Sequence, residues 1–297
     1  MNNFSIKFLA KSVLLGTFLL CWAALFAWSA NPRFASFDFP LAGVTNTQAT
    51  AITPSGTIVG RYLTPDGQRH GFRLADGRFQ SIDVPGGWPT DVTWINPRGD
   101  IVGCYDSNGK TYAYVLRDGH FNTIAYPGAQ MTLGWGISNG GDVVGPEFNG
   151  DFYTAHGYIY HNDTFTLFDV PGARATWPTA AIDSQHIAGN YFGPDWRIHG
   201  FVFREGRFTS IDFPGSDYIW ITGSNPQGQV VGFYFDALGN QHGFVMKKGK
   251  FTSIDIPRAI ATEVNGIDPK GNVVGRYTSP DGITHAFFLL DPTKVRH

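Results

Sequence analysis

Histidine and aspartate recur in this chain at one fixed interval. His70, His156, His199 and His242 each stand thirteen residues before an aspartate, namely Asp83, Asp169, Asp212 and Asp255. For a fifth, His285, that position lies beyond the last residue, and Asp38 near the start of the chain is its counterpart. An imidazole beside a carboxylate is the chemistry of a charge relay, but a relay needs a nucleophile on the far side of the ring. No repeat supplies one at a privileged position. The ten residues are therefore read as structural, forming cross-strand hydrogen bonds or ion pairs.

A second set differs from repeat to repeat and suits ligand binding. Gln48, Asp91 and Glu263 offer hydrogen-bonding and charged groups, and Trp135, Trp177 and Trp220 offer aromatic faces. Carboxylates and amides suit the hydroxyls of a sugar, and a tryptophan face suits its C–H surface. Asp91 and Glu263 also make a carboxylate pair of the kind that glycoside hydrolysis requires. No other catalytic set emerges. His120, His161, His186 and His297 show no ligand spacing, so neither metal nor cofactor is expected. Cys104, inside an apolar strand, reads as a small buried hydrophobe.

These residues must be held by hairpins. The stretch His199–Gly215, HGFVFREGRFTSIDFPG, places two alternating runs around a Glu205-Gly206 turn. With the turn of a related hairpin at residues 76 and 77, His70 falls opposite Asp83. The second repeat is the control, because Tyr112 replaces the histidine and Ala125 the aspartate together.

Phe34, Phe79, Phe121, Phe165, Phe208 and Phe251 open equivalent segments at intervals of 45, 42, 44, 43 and 43 residues. Each period holds four strand-like pieces and no helical periodicity. The predicted fold is all-β, a six-bladed β-propeller with four-stranded blades. The chain opens on a fourth-type strand, residues 34–40, and closes on a third-type strand, so the N-terminal strand is expected to complete the last blade.

Four residues before the Ile-Asn type motif ending each first strand stand Gln48, Asp91, Leu133, Pro178, Trp220 and Glu263. Two residues further on stand Thr50, Thr93, Trp135 and Asn265. They predict a channel mouth with an acidic, hydrogen-bonding half and an apolar aromatic half.

Residues 1–30 read as a signal peptide or N-terminal anchor, with Lys7 and Lys11 before an apolar run from Ser12 to Trp28. Residues 33–292 form the propeller and 293–297 a short tail. A secreted, periplasmic or cell-surface location follows, with membrane contact only through an uncleaved N-terminal segment. Removal of that segment would leave Cys104 as the lone cysteine, with no internal disulfide. A net charge of −2 without a basic stripe excludes nucleic acid as a partner. A monomer is expected, with a glycan or a cell-envelope protein as partner.

Ile267-Asp268, Gly271, Val273-Val274-Gly275 and His285-Ala286-Phe287 together make a motif that resembles the bacterial extracellular HAF-repeat proteins. The likeness covers roughly residues 33 to 290. It implies export and a propeller, and it carries no catalytic residues. The chain departs from the pattern through its inserted IDxPG strands and through Pro146-Glu147 in the third repeat. The function expected is that of an exported, noncatalytic binding or scaffolding propeller that recognises carbohydrate. A carbohydrate-active hydrolase or lyase using Asp91 and Glu263 is the alternative.

Overall fold

The structure, a computed structural model, describes residues 34–294. Residues 1–33, where a targeting segment with Cys21 is expected, and residues 295–297 with His297 lie outside it. The described chain is all-β, with two short 3-10 turns at Phe152–Thr154 and Pro292–Lys294.

Strands Asn46–Ile52, Ile58–Leu63, Arg69–Ala75 and Arg78–Ile82 pair in sequence order, each antiparallel to the next. The same order recurs in repeats 2 to 5, beginning at Thr90, Met131, Ala175 and Ile219. In repeat 3 the first strand is split into Met131–Thr132 and Gly136–Ile137. The sixth repeat supplies only Ala261–Ile267, Val273–Thr278 and Thr284–Leu289. Its outer neighbour is Phe34–Phe37, paired antiparallel from Phe34 opposite Leu289 to Phe37 opposite Ala286.

One buried contact recurs and explains the repeated glycines. Phe72, Tyr114, Tyr158, Phe201, Phe244 and Phe287, from the third strands, are fully buried. The rings of Phe72, Tyr114, Phe201, Phe244 and Phe287 lie against Gly60, Gly103, Gly189, Gly232 and Gly275 of the second strands. At all six second-strand glycines, Gly145 included, a methyl group would fall 1.8 to 2.3 Å from a first-strand carbonyl oxygen. Only a residue without Cβ allows that approach. Where the third-strand ring is tyrosine, its hydroxyl donates to the same carbonyl, Tyr114 to Asp91 at 3.0 Å and Tyr158 to Leu133 at 2.9 Å.

The histidine–aspartate pairs lie on the outer hairpins. Nδ1 to carboxylate distances are 2.6 Å for His70–Asp83, 2.8 Å for His156–Asp169, 2.6 Å for His199–Asp212 and 2.7 Å for His242–Asp255. His285 and Asp38, from opposite ends of the chain, meet at 2.8 Å. A tyrosine of the adjacent strand packs near four of these imidazoles, and its hydroxyl bonds a serine on the outer strand, as Tyr62 does with Ser81 and Tyr234 with Ser253. Repeat 2 lacks the histidine yet keeps the hydroxyl pair, as Tyr105–Thr123. Repeat 3 keeps the histidine but has Glu147 in the tyrosine's place, opposite His156. Burial pushes the Glu147 carboxyl up, with His156 opposing the shift and Asp169 adding to it.

Candidate functional site

The first strands carry a bulge that turns one residue out of the ladder. The register skips Thr50, Thr93, Thr179, Thr222 and Asn265, each between two paired neighbours. An unpaired bulge residue re-aims its side chain, and here all five line one cavity of about 220 Å³. Trp135, from the interrupted first strand of repeat 3, occupies the sixth place, and Arg61, Trp220 and Glu263 complete the lining.

The polar bulge residues also tie neighbouring first strands together. Thr50, Thr93 and Thr222 donate their hydroxyls to Val92, Gly134 and Val264 at 3.1, 2.6 and 2.6 Å. Asn265 donates its amide to Ala49 at 3.0 Å, joining repeat 6 to repeat 1. The threonine protons are thereby engaged, but the oxygen lone pairs can still accept.

Arg61 and Glu263 make one side of the cavity charged, while Gln48 and Asp91 do not line it and hold Arg61 from behind. Gln48 Oε1 accepts from Arg61 Nε and Nη2 at 3.1 and 3.0 Å. Asp91 accepts from Arg61 at 3.3 Å and from Arg69 at 2.7 Å. Glu263 accepts from Arg276 Nε at 2.6 Å and Nη2, and from Gln241 at 2.5 Å. Burial alone would lower the Arg276 pKa, but the hydrogen bond and charge of Glu263 outweigh it and hold it up. This corrects the expected acidic half. Arg61, Arg69 and Arg276 set three guanidinium groups against two carboxylates. The sequence signal was the residue after the second-strand glycine, arginine in repeats 1 and 6 and Cys104, Pro146, Asn190 or Phe233 elsewhere.

The other side is aromatic. Trp220 stands edge-on to Trp135 at 6.3 Å between ring centroids and 5.5 Å from Trp177. Tyr218 stacks beside Trp220 at 6.4 Å, and burial pushes its hydroxyl up to about 12, helped by the charges of Tyr153 and Glu263. Trp177 does not face a ligand, contrary to expectation. It is fully buried, stacks on Phe152 at 4.6 Å and donates its indole N–H to the Phe152 carbonyl at 3.0 Å. Its role is to back the Trp220 ring.

Pro178 is also displaced from its expected place. The count from Ile182 assumes that this residue matches Ile52, but Ala181 pairs with Ile187 as Ile52 pairs with Ile58. A second irregularity in this strand shifts the frame by one. Trp177 is thus the structural equivalent of Gln48, Asp91, Trp220 and Glu263, and Thr179 is the cavity residue.

Cys104 is buried, and desolvation pushes its thiol up, away from nucleophilic use. Among the described residues no group of three or more His, Cys, Asp or Glu side chains could hold a metal ion. A groove of about 470 Å³ lies between the outer strands of repeats 4 and 5, lined in part by His186, Phe203, Arg204, Met246 and Phe251. It is more apolar, and its guanidinium is exposed at the rim. The cavity among the first strands brings rings, paired charges and hydroxyl acceptors together, so it is the stronger candidate.

No protein-family model matches the chain, and no curated protein matches it. Solved structures do resemble it. AofleA from Arthrobotrys oligospora superposes with a TM-score of 0.57 at 12% identity, over 86% of this chain and 85% of that one. The fucose-specific lectin from Aleuria aurantia gives 0.52 at 13% identity, over 82% and 91%. The β-propeller domain of the Trilobed protease from Pyrococcus furiosus, described as having an open velcro topology, gives 0.51 at 12%, over 83% and 81%. Identities this low speak to fold alone, and the fold they indicate is propeller-like.

Proposed function

We propose that this chain is an exported, noncatalytic propeller that binds carbohydrate at the mouth of its central channel. Its six repeats are the blades, each of four strands, and Phe34–Phe37 completes the sixth. The observation that carries the reading is the cavity itself, where Trp135 and Trp220 share one lining with Arg61, Glu263 and the bulge residues. A pyranose presents hydroxyls at its edge and C–H groups on its face, and these two kinds of wall suit it. The likeness to a fucose-specific lectin supports the same reading.

The arginines weigh against hydrolysis. Glycoside hydrolysis needs two carboxyl groups free to face the glycosidic bond. In Asp91 and in Glu263 both carboxylate oxygens are instead engaged by arginine. They are better suited to hold the arginines in place, and Glu263, which lines the cavity, to accept a sugar hydroxyl as well.

Glycan-array binding by the purified chain, with parallel assay for reducing-end release, tests the reading. Binding without release, abolished in Trp220→Ala with the fold intact, is the expected result. Release that disappears in Glu263→Gln would replace it with the hydrolase, and binding unaffected by Trp220→Ala would remove the mouth as the site.

A further inference from the structure

In repeats 1, 5 and 6 the turn between the second and third strands ends on a glycine with left-handed backbone, Gly67 at φ +80°, Gly239 at +84° and Gly282 at +84°. In each, the glycine N–H returns to the carbonyl three residues earlier. Repeat 4 builds the same turn, with Trp196 N–H donating to Gly193 at 3.1 Å, but places tryptophan there at φ +65°. Left-handed backbone is unfavourable for a bulky side chain and open to glycine. Trp196 gains little burial in return, since it is 67% exposed. A strained, exposed aromatic where sister turns use glycine is an outlier that folding does not explain.

The ring is nevertheless held. The Arg174 guanidinium lies 3.7 Å over one face, and Phe192 meets it edge-on at 5.7 Å. From there the rings run inward without a break, Phe192 to Tyr153 at 5.0 Å, Tyr153 to Trp177 at 6.1 Å and Trp177 to Trp220 at 5.5 Å. Phe192 and Trp177 are buried and form the backing; Tyr153 and Trp196 are exposed. The exposed rings of Tyr153 and Trp196 are thus joined through buried rings to Trp220, which lines the cavity.

We infer that Trp196 is the outer stacking platform of this site, and that the ligand is an extended glycan chain rather than a single sugar. This rests on the carbohydrate reading. A monosaccharide on Trp220 would leave Tyr153 and Trp196 unused, whereas a chain emerging from the cavity along the aromatic path engages both.

Trp196→Gly restores the residue of the sister turns, so it is expected to fold and to melt at or above the wild-type temperature; Trp196→Asn, which also tolerates left-handed backbone, serves as the second variant. The probes are immobilised ladders of one to six units of neutral and of uronate homo-oligosaccharides. Wild-type affinity is expected to rise with length, and both variants to lose about tenfold on the longer members while binding the shortest as wild type does. Wild-type binding that is independent of length, or variants that bind every length as wild type does, would overturn the extended chain and leave the carbohydrate reading standing. Failure of every ladder to bind the wild type would overturn both.

Discussion

His285 and Asp38 lie 247 positions apart in sequence and 2.8 Å apart in space. Their pair fills, at the junction of the chain ends, the place that His242–Asp255 fills within one hairpin. The same N-terminal segment reaches into the next repeat, where Phe39 stacks on Tyr62 at 3.7 Å with nearly parallel planes. Residues 34–40 therefore join repeat 6 to repeat 1. Deleting them is expected to lower the melting temperature of the whole domain by roughly 10 °C in a single transition. An unchanged midpoint by calorimetry would show that the segment is dispensable.

The outer pairs predict how stability follows pH. Burial alone would depress His199 and His242, but hydrogen bonds and charge from Asp212 and Asp195, and from Asp255 and Asp236, raise both. A raised folded-state pKa contributes stability that is complete below the unfolded value of about 6.5 and is lost as pH rises through the folded value. Asp236 runs the other way. Hydrogen bonds from Asn240 and Leu238, and the bond from His242, hold it at about 2, so its contribution is present above the ordinary carboxylate range and lost as pH falls toward that value. Thermal melts should show a fall in stability between about pH 6.5 and mildly alkaline conditions that flattens in His199→Gln/His242→Gln.

Glu263 and Arg276 form a largely enclosed pair, with side chains 11% and 29% exposed. Removing only the carboxylate leaves a guanidinium without its partner. Glu263→Ala should cost about 2 kcal/mol by denaturant unfolding, and Glu263→Ala/Arg276→Met clearly less. Equal losses would mean that the pair contributes no coupling.

The second-strand glycines should be intolerant of the smallest side chain. At Gly232 a methyl group would meet the Trp220 carbonyl at 2.0 Å and the Phe244 ring at 2.9 Å. Gly232→Ala is expected to destabilise by about 3 kcal/mol, while Gly→Ala at Gly136, outside this series, provides a comparison in a different contact.

What could be read from sequence divides along the geometry. Hairpin register follows from a two-residue turn and simple arithmetic, so His199 opposite Asp212 was legible without any coordinates. The partners of Asp91 were not. Arg61 and Arg69 come from the preceding repeat, and no within-repeat count brings them across. Pro178 was misplaced because a second irregularity in its strand shifts the frame by one residue, which periodicity cannot register, and the burial of Trp177 comes from Phe152, which no count within the repeat brings against it. The meaning of Trp196 depends on its φ, although the sequence does show tryptophan where sister loops have glycine. The tyrosine–serine pairs beside the histidines were visible in the repeated Tyr and Ser of the second and fourth strands, once the two strands are known to be separated only by the third.

The central claim is that sugar binds among the first strands, between the aromatic wall and the arginines. A crystal structure of the chain with its tightest array glycan tests this most directly. The account predicts a sugar ring against Trp220, with hydroxyls within hydrogen-bond distance of Glu263 or Arg61. A sugar found instead in the groove between repeats 4 and 5, beside Arg204 and Met246, with the first-strand cavity empty, would contradict it.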